Sequence, residues 1–478
     1  MRLPVLVLLP ALAAAAGPSS LEIQSVVDLA HSAPPEVAAD ALIRVAALDQ
    51  LAKTRRVELL EQAFALAPFS AQPYKRRTGL ARSIGPSGFL NRAYEQDLDT
   101  LSLQLRAVEG LLPLAPQKAR EHFLEITPLR LPQLSCDDFL VYDVDRFYDV
   151  LGRVAAQTFS AKEVRDEEPA KFLAGYIATV SSAAQVAPVA RLLEGAAGKD
   201  TEFQSLITAF AGALARISSD DRSFLYGANA AGPAIQRLAD QSQRRQISPM
   251  VLLEAYRRFL NSNLAGTRCA DDTQNVWAAP AANVAAYFND KLAIPPLSPI
   301  DMSSITPAKS DGEVKGLAWC EDPECRAMRD QFQALIFGEN GAASQPQQRE
   351  QNEWQSRARD FLGALAAWTQ STGIGPVEHF REKIALFSEL VVIVPNGPAR
   401  EFVLQSMLGF LIQNRLPPEN RFEWLLPVSQ LSGRMGFDPA GWGETADDLR
   451  RANDSAIALS MALEAIAPRS LSAVMPVL

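Results

Sequence analysis

The sequence predicts an all-α protein, built of antiparallel helix pairs arranged in two lobes. Three observations predict it. Apolar residues recur at helical spacing almost throughout, no alternating run is long enough to make a strand, and Pro- or Gly-bearing breaks cut the periodic stretches into short pieces. Helices of that length joined by brief turns must fold back on one another, which makes neighbours antiparallel.

The chain begins with Arg2 and an unbroken apolar stretch from Leu3 to Ala16, followed by Gly17-Pro18-Ser19-Ser20. A short basic start, an apolar run and the small residues Ala14-Ala15-Ala16 are the three parts of a secretory signal, so residues 1–16 are expected to be a cleaved signal peptide. The run is roughly 14 residues, short of the ~20 needed to span a bilayer, and Pro4 and Pro10 weaken a spanning helix further. The most apolar internal run, Leu390 to Val394, stops at Pro395. The mature chain is therefore expected to be exported, soluble and without a transmembrane anchor, in the periplasm or outside the cell.

Helical stripes follow in order. Leu42, Val45, Leu48 and Leu51 make one; Leu60, Phe64 and Ala67 the next; Leu98, Leu101, Leu105, Val108 and Leu112 a third. A turn is expected near Lys53-Thr54. Ser248-Pro249 reads as an N-cap with proline at the first helical position, and Asn396-Gly397-Pro398 as the break between two helices. Leu390 to Val394 continues the periodicity of Phe380, Ile384 and Phe387 and reads as a helix end. Two stretches lack this periodicity: 293–318, with Pro295, Pro296, Pro299 and Pro307, and 339–353, which is rich in glutamine. The first is taken as a linker between an N-terminal lobe, 17–292, and a C-terminal lobe, 319–478; a chain of this length exceeds one hydrophobic core.

The units at Val37–Pro68 and around Leu112–Ile126, each helix, short turn and helix, are similar to the building blocks of tetratricopeptide-like and HEAT-like repeat proteins. The resemblance covers the first half of the chain and lacks a fixed 34-residue period. It implies an irregular α-solenoid or helical array, whose concave surface would suit a protein or peptide partner.

Chemistry-bearing residues are sparse. Cys136, Cys269, Cys320 and Cys325 permit two disulfides in an exported chain. Cys320 and Cys325 enclose only Glu321 to Glu324, and Cys136 with Cys269 would then close a long loop. Free thiols remain the alternative, and a thiolate metal site is disfavoured by spacing and by the lack of a nearby histidine. The three histidines, His31, His122 and His379, sit in no catalytic motif; His122 and His379 read as polar-face positions beside core aromatics. Asp143, Asp145 and Asp149, with Asp137 and Asp138, are the densest carboxylates, but the order of a calcium loop is missing, and Asp145 is expected to cap the following helix. Trp424 and Trp442, with Phe437 and nearby glycines, form an aromatic loop that could receive a ligand, although burial against the preceding helix is the favoured reading. No phosphate loop, dinucleotide fingerprint, HExxH or Gly-x-Ser-x-Gly occurs, so no cofactor or metal is expected. With 46 basic against 55 acidic residues and no basic run, nucleic acid is not an expected partner.

These readings converge on a non-enzymatic, exported scaffold that binds a protein or peptide. Two rivals carry different demands. A hydrolase or metal-dependent enzyme needs scattered acids such as Asp143 to meet His122 in one cleft, and an apolar-ligand carrier needs a cavity between helices.

Overall fold

Proline starts many of the helices. In the computed structural model α2 (Pro35–Ala46), α5 (Pro116–Glu125), α14 (Pro323–Phe337), α16 (Pro376–Ile393) and α17 (Pro398–Gln413) each open on a proline. Proline's ring presets the helical φ, and the N–H it lacks would have had no partner in the first turn. The structure describes residues 20–70, 72–77, 97–126, 128–134, 141–196, 198–217, 223–265, 268–269, 278–292, 307–308, 323–337, 351–370, 373–394 and 398–414. Among these the protein is all-α, with seventeen helices. The others are α1 (Ser20–Ser32), α3 (Lys53–Leu66), α4 (Thr100–Leu111), α6 (Asp145–Gln157), α7 (Ala161–Arg165), α8 (Glu168–Ile177) and α9 (Val186–Glu194). They continue with α10 (Asp200–Leu214), α11 (Ser223–Arg244), α12 (Met250–Ala265), α13 (Ala278–Tyr287) and α15 (Gln351–Ala367). No described helix is long and apolar enough to cross a membrane.

Side-chain caps mark several starts. The Asp99 carboxylate accepts from the Ser102 amide at 3.0 Å ahead of α4. Ser160 and Glu163 form a reciprocal capping box at α7, as Ser182 and Gln185 do ahead of α9. Ser248 accepts from the Met250 amide at 3.4 Å, so α12 starts just after the expected Ser-Pro pair. Leu390 lies within the last turn of α16, and Val394 is its C-cap, as the periodicity predicts.

Three expectations are corrected in detail. The turn placed near Lys53-Thr54 lies earlier, between Ala46 and Lys53, because tight bonds from the Leu48 amide to Val45 and the Leu51 amide to Leu48 close the chain there. Leu48 and Leu51 therefore sit half-buried in the turn rather than on the α2 stripe. Asp145 does not cap α6: Val144 is the N-cap, and Asp145 lies in the first turn, where its charge still meets the positive end of the helix dipole. Two short ribbons also exist. β1 (Arg76–Arg77) pairs antiparallel with β2 (Val141–Tyr142), and β3 (Arg268–Cys269) pairs parallel with β4 (Pro307–Ala308), within the stretch read as a linker. At two residues a strand they are too short for alternation to announce.

The helices pack in chain order. Helix α2 lies against α4, α4 against α6, α6 against α9, α9 against α11 and α11 against α13, making one row of neighbours. Helices α8, α10 and α12 follow one another in the same way. The two rows are tied by α6 with α8, α9 with α10 and α11 with α12, while α3 packs on α2 and α4, and α5 on α4 and α6. Lengths from 5 to 22 residues leave no constant period. Helices α14 to α17 pack on one another, α14 on α15 and α16, and α17 on α15 and α16.

The core is apolar and aromatic. Phe123 stacks on Phe147 at 5.4 Å, and Tyr176 meets both edge-on at 5.4 and 5.8 Å, joining α5, α6 and α8. Phe123, Phe147 and Tyr148 are fully buried. Each such ring removed from water stabilises the fold by about 1.5–3 kcal/mol, with edge-to-face geometry adding about 1 kcal/mol.

Candidate functional sites

The acidic positions singled out in the sequence meet at one end of α6. The antiparallel register of β1 and β2, Arg77 opposite Val141, sets the chain entering Asp143, whose amide donates to the Lys75 carbonyl at 2.9 Å. Asp143 pairs with Arg77 at 3.3 Å and also accepts from the Asp145 amide at 3.3 Å. Asp145 reaches across to Arg191 of α9 at 2.7 Å. Burial, and secondarily the Asp143 charge, raises the Asp145 carboxyl above its usual range against the pull of Arg191 and Arg77. Asp149, one turn along α6, is exposed and outside this cluster's pairs. Ala187, Pro188, Ser223 and Gly227 close a crevice of about 30 Å³ over the acids, the room of a single water. Two carboxylates facing two guanidiniums make a neutral clamp, and among the described residues no three His, Cys, Asp or Glu side chains gather to hold a metal ion.

That clamp is one of a series. Asp40 of α2 pairs with Arg106 of α4; Glu109 of α4 pairs with Arg146 and Arg153 of α6 at 2.7 and 2.6 Å. Asp145 of α6 meets Arg191 of α9, and Glu194 of α9 meets Arg237 of α11 at 2.9 Å. The pairs follow the row of helix contacts from α2 to α11. Arg146 also reaches Asp97 at 2.8 Å, which in turn takes Lys75 at 2.6 Å.

The histidines are kept apart. His122 on α5 lies 3.7 Å from Glu61 and 3.3 Å from Glu125, with its ring 4.6 Å from Phe64. His379 on α16 lies edge-on to Trp368 at 4.7 Å. Among the described residues, His122 and Asp143 pair with different side chains. Lys383 donates to the carbonyls of Ala366 and Trp368 at the C-terminal end of α15, satisfying groups that the helix end leaves open, and burial lowers its ammonium pKa.

A larger cavity, of about 120 Å³, lies between α11, α12 and α13. Helix α11 carries Pro233 in its interior, where proline removes one helical hydrogen bond, and Gly232 beside it lets the Tyr287 ring approach: a Cβ there would stand 2.9 Å from that ring. Helix α13 ends in a wider π turn, Phe288–Leu292, that turns both Phe288 and Leu292 inward to burial. Between them Ala228, Tyr256 and Val284 complete the wall. The dipeptide Gly232-Pro233 inside a periodic stretch is the one sequence signal of this break.

Several expected residues lie outside the described residues: Trp424, Trp442, Cys136 and Cys320. Cys269 is placed by its backbone in β3, and Cys325 is buried in the first turn of α14. No family model, no curated protein and no solved structure matches this chain.

Proposed function

We propose that the chain is an exported, non-enzymatic scaffold that binds a protein or peptide partner along a solenoid-like stack of helices. The observation that carries this reading is the row α2–α4–α6–α9–α11, in which each contact between helices is tied by an acid–arginine pair. Apart from the buried Asp40–Arg106 pair, such pairs add little stability singly, about 0–1 kcal/mol, but they hold one helix in register against the next. A row in register presents a long continuous surface, the form in which stacked helix pairs bind extended partners. The separate surroundings of His122, His379 and Asp143 support a binding role over catalysis, since a general acid and base must share one substrate.

Export rests on the signal-like residues 1–16, and with it come two disulfides, Cys320–Cys325 and Cys136–Cys269. N-terminal sequencing and non-reducing mass spectrometry of the native protein test both. A mature chain starting near Gly17 with no alkylatable thiols is expected; four alkylatable thiols would refute the bridges. Binding is tested with a photo-crosslinker placed at the exposed Asp149 of α6 and Asn229 of α11, two positions on the row. The same partner protein captured at both supports the scaffold, and adducts at neither position refute it.

A further inference from the structure

We propose that the arginine-rich node where α4 packs against α2 and α6 is the docking point for an acidic stretch, rich in Asp and Glu, of the partner protein. The inference rests on the scaffold reading and names the chemistry of the partner at one end of the row.

The node is continuous. Asp40 holds Arg44 and Arg106, Arg106 donates to the Asp97 carbonyl at 3.4 Å, and Asp97 holds Lys75 and Arg146. Glu109 then holds Arg146 and Arg153. Asp40, Asp97 and Glu109 thus serve Arg44, Lys75, Arg106, Arg146 and Arg153, which leaves positive charge in excess. Asp149 stands on the same face of α6, between Arg146 and Arg153, exposed and, among the described residues, paired with neither. Counting it, the excess is smaller but still positive, on a chain whose net charge is -9.

The charges are also layered. The side chains of Asp40, Asp97 and Glu109 are 8–21% exposed, whereas those of Arg44, Arg146 and Arg153 are 36–45% exposed. The acids lie beneath, and the guanidiniums meet the solvent. A guanidinium carries several N–H donors in a fork; Arg153 commits only Nη1 to Glu109, which leaves donors for a second carboxylate. Charges are screened beyond about 8 Å at physiological salt, so an acidic segment seated here answers to these arginines more than to the net charge of the chain. A nucleic acid needs many phosphate contacts, and beyond this node the negative net charge opposes it.

The test is fluorescence anisotropy on the full chain with a short peptide of alternating Glu and Thr carrying a neutral fluorophore, beside its Gln–Thr and Lys–Thr counterparts. The Glu–Thr peptide is expected to bind saturably below about 1 mM, and to weaken at least about threefold as salt rises from ~50 to ~200 mM; the other two should bind more weakly. Arg153→Gln should weaken the Glu–Thr peptide about threefold, Asp149→Asn should strengthen it by a similar factor, and Arg237→Gln, outside the node, should leave it unchanged. Opposite shifts from two exposed positions on one helix cannot both come from a loss of fold. No saturation by the Glu–Thr peptide, equal binding of the Gln–Thr peptide, or weaker binding in Asp149→Asn would each overturn the proposal. The two readings fail separately. A partner captured at both Asp149 and Asn229, but crosslinked at Asp149 through a segment poor in Asp and Glu, overturns the acidic partner and leaves the scaffold intact. The peptide measurement is made on the isolated protein and does not depend on that capture.

Discussion

Replacing Arg106 with methionine should expose how much the first rung of the helix row contributes. Asp40 is 6% exposed, and Arg106 is held against it at 14% side-chain exposure, so the pair is one of buried charges. Burial by itself would raise the Asp40 pKa; Arg106, with Arg44 behind it, outweighs burial and holds the carboxyl below its usual value. Removing one member of a buried pair typically costs about 3–5 kcal/mol, because the other is left charged and desolvated. Arg44 remains at 3.0 Å and is 36% exposed, which places the expectation at the lower end, about 3 kcal/mol. The pH dependence has a definite sign. In the native protein a depressed Asp40 pKa contributes stability above the unfolded value near ~4 that is lost as pH falls through the folded pKa. In the variant burial dominates, Asp40 rises, and acidification relieves its desolvation. The difference between the proteins should therefore be largest near neutrality and shrink toward pH ~4. Urea unfolding followed by circular dichroism at several pH values measures it. Asp40→Leu combined with Arg106→Met should recover most of the loss, to within about 1 kcal/mol. A cost for Arg106→Met below about 1 kcal/mol at neutral pH, or one that grows on acidification, would refute the account.

Other consequences follow from single sites. Burial, and secondarily the Asp97 charge, pushes the Asp99 carboxyl up to about 6. The native protein should therefore gain stability relative to Asp99→Asn as pH falls from about 6 toward ~4, read from the same unfolding curves; no change in the gap would contradict it. Gly227 of α11 packs so close to Ala183, in the turn ahead of α9, that an added Cβ would lie 3.1 Å from its backbone carbonyl oxygen, whereas one at Gly175 of α8 meets nothing within 4 Å. Gly227→Ala should destabilise by about 1–2 kcal/mol and Gly175→Ala should stabilise by about 0.5–1 kcal/mol, so melting shifts of opposite sign are the check. Arg191→Ala breaks a pair whose side chains are 34% and 48% exposed. Its cost should stay under about 1 kcal/mol, and a larger loss in thermal unfolding would mean that the Asp143–Asp145 crevice is more than a clamp.

Helix existence was legible because a 3.6-residue period writes the buried face directly into the sequence. Leu98, Leu101, Leu105, Val108 and Leu112 read as one stripe and are all buried. The stripe through Leu48 and Leu51 was misread because hydrophobicity continues through a turn that backbone hydrogen bonds, not side-chain pattern, close. Asp145 shows the same limit. An acid at a helix start is visible, but its position inside the first turn depends on how the β1–β2 ribbon feeds α6.

The candidate sites were less legible, since their members come from distant stretches. Asp143 and Asp145 stand out as a local acid cluster, yet Arg77 and Arg191, which neutralise them, carry no mark that sets them apart from the other arginines. Tyr256 belongs to an ordinary helical stripe, and only the approach of α13 to the Gly232-Pro233 break makes it part of a cavity wall.

By itself the sequence determined the all-α class and a few helix limits, because periodicity, caps and prolines act over a few residues. The tertiary structure alone decided which acid meets which arginine along the row and where a cavity remains between helices. Those outcomes depend on distances between side chains that lie tens of residues apart, and a local pattern holds no record of them.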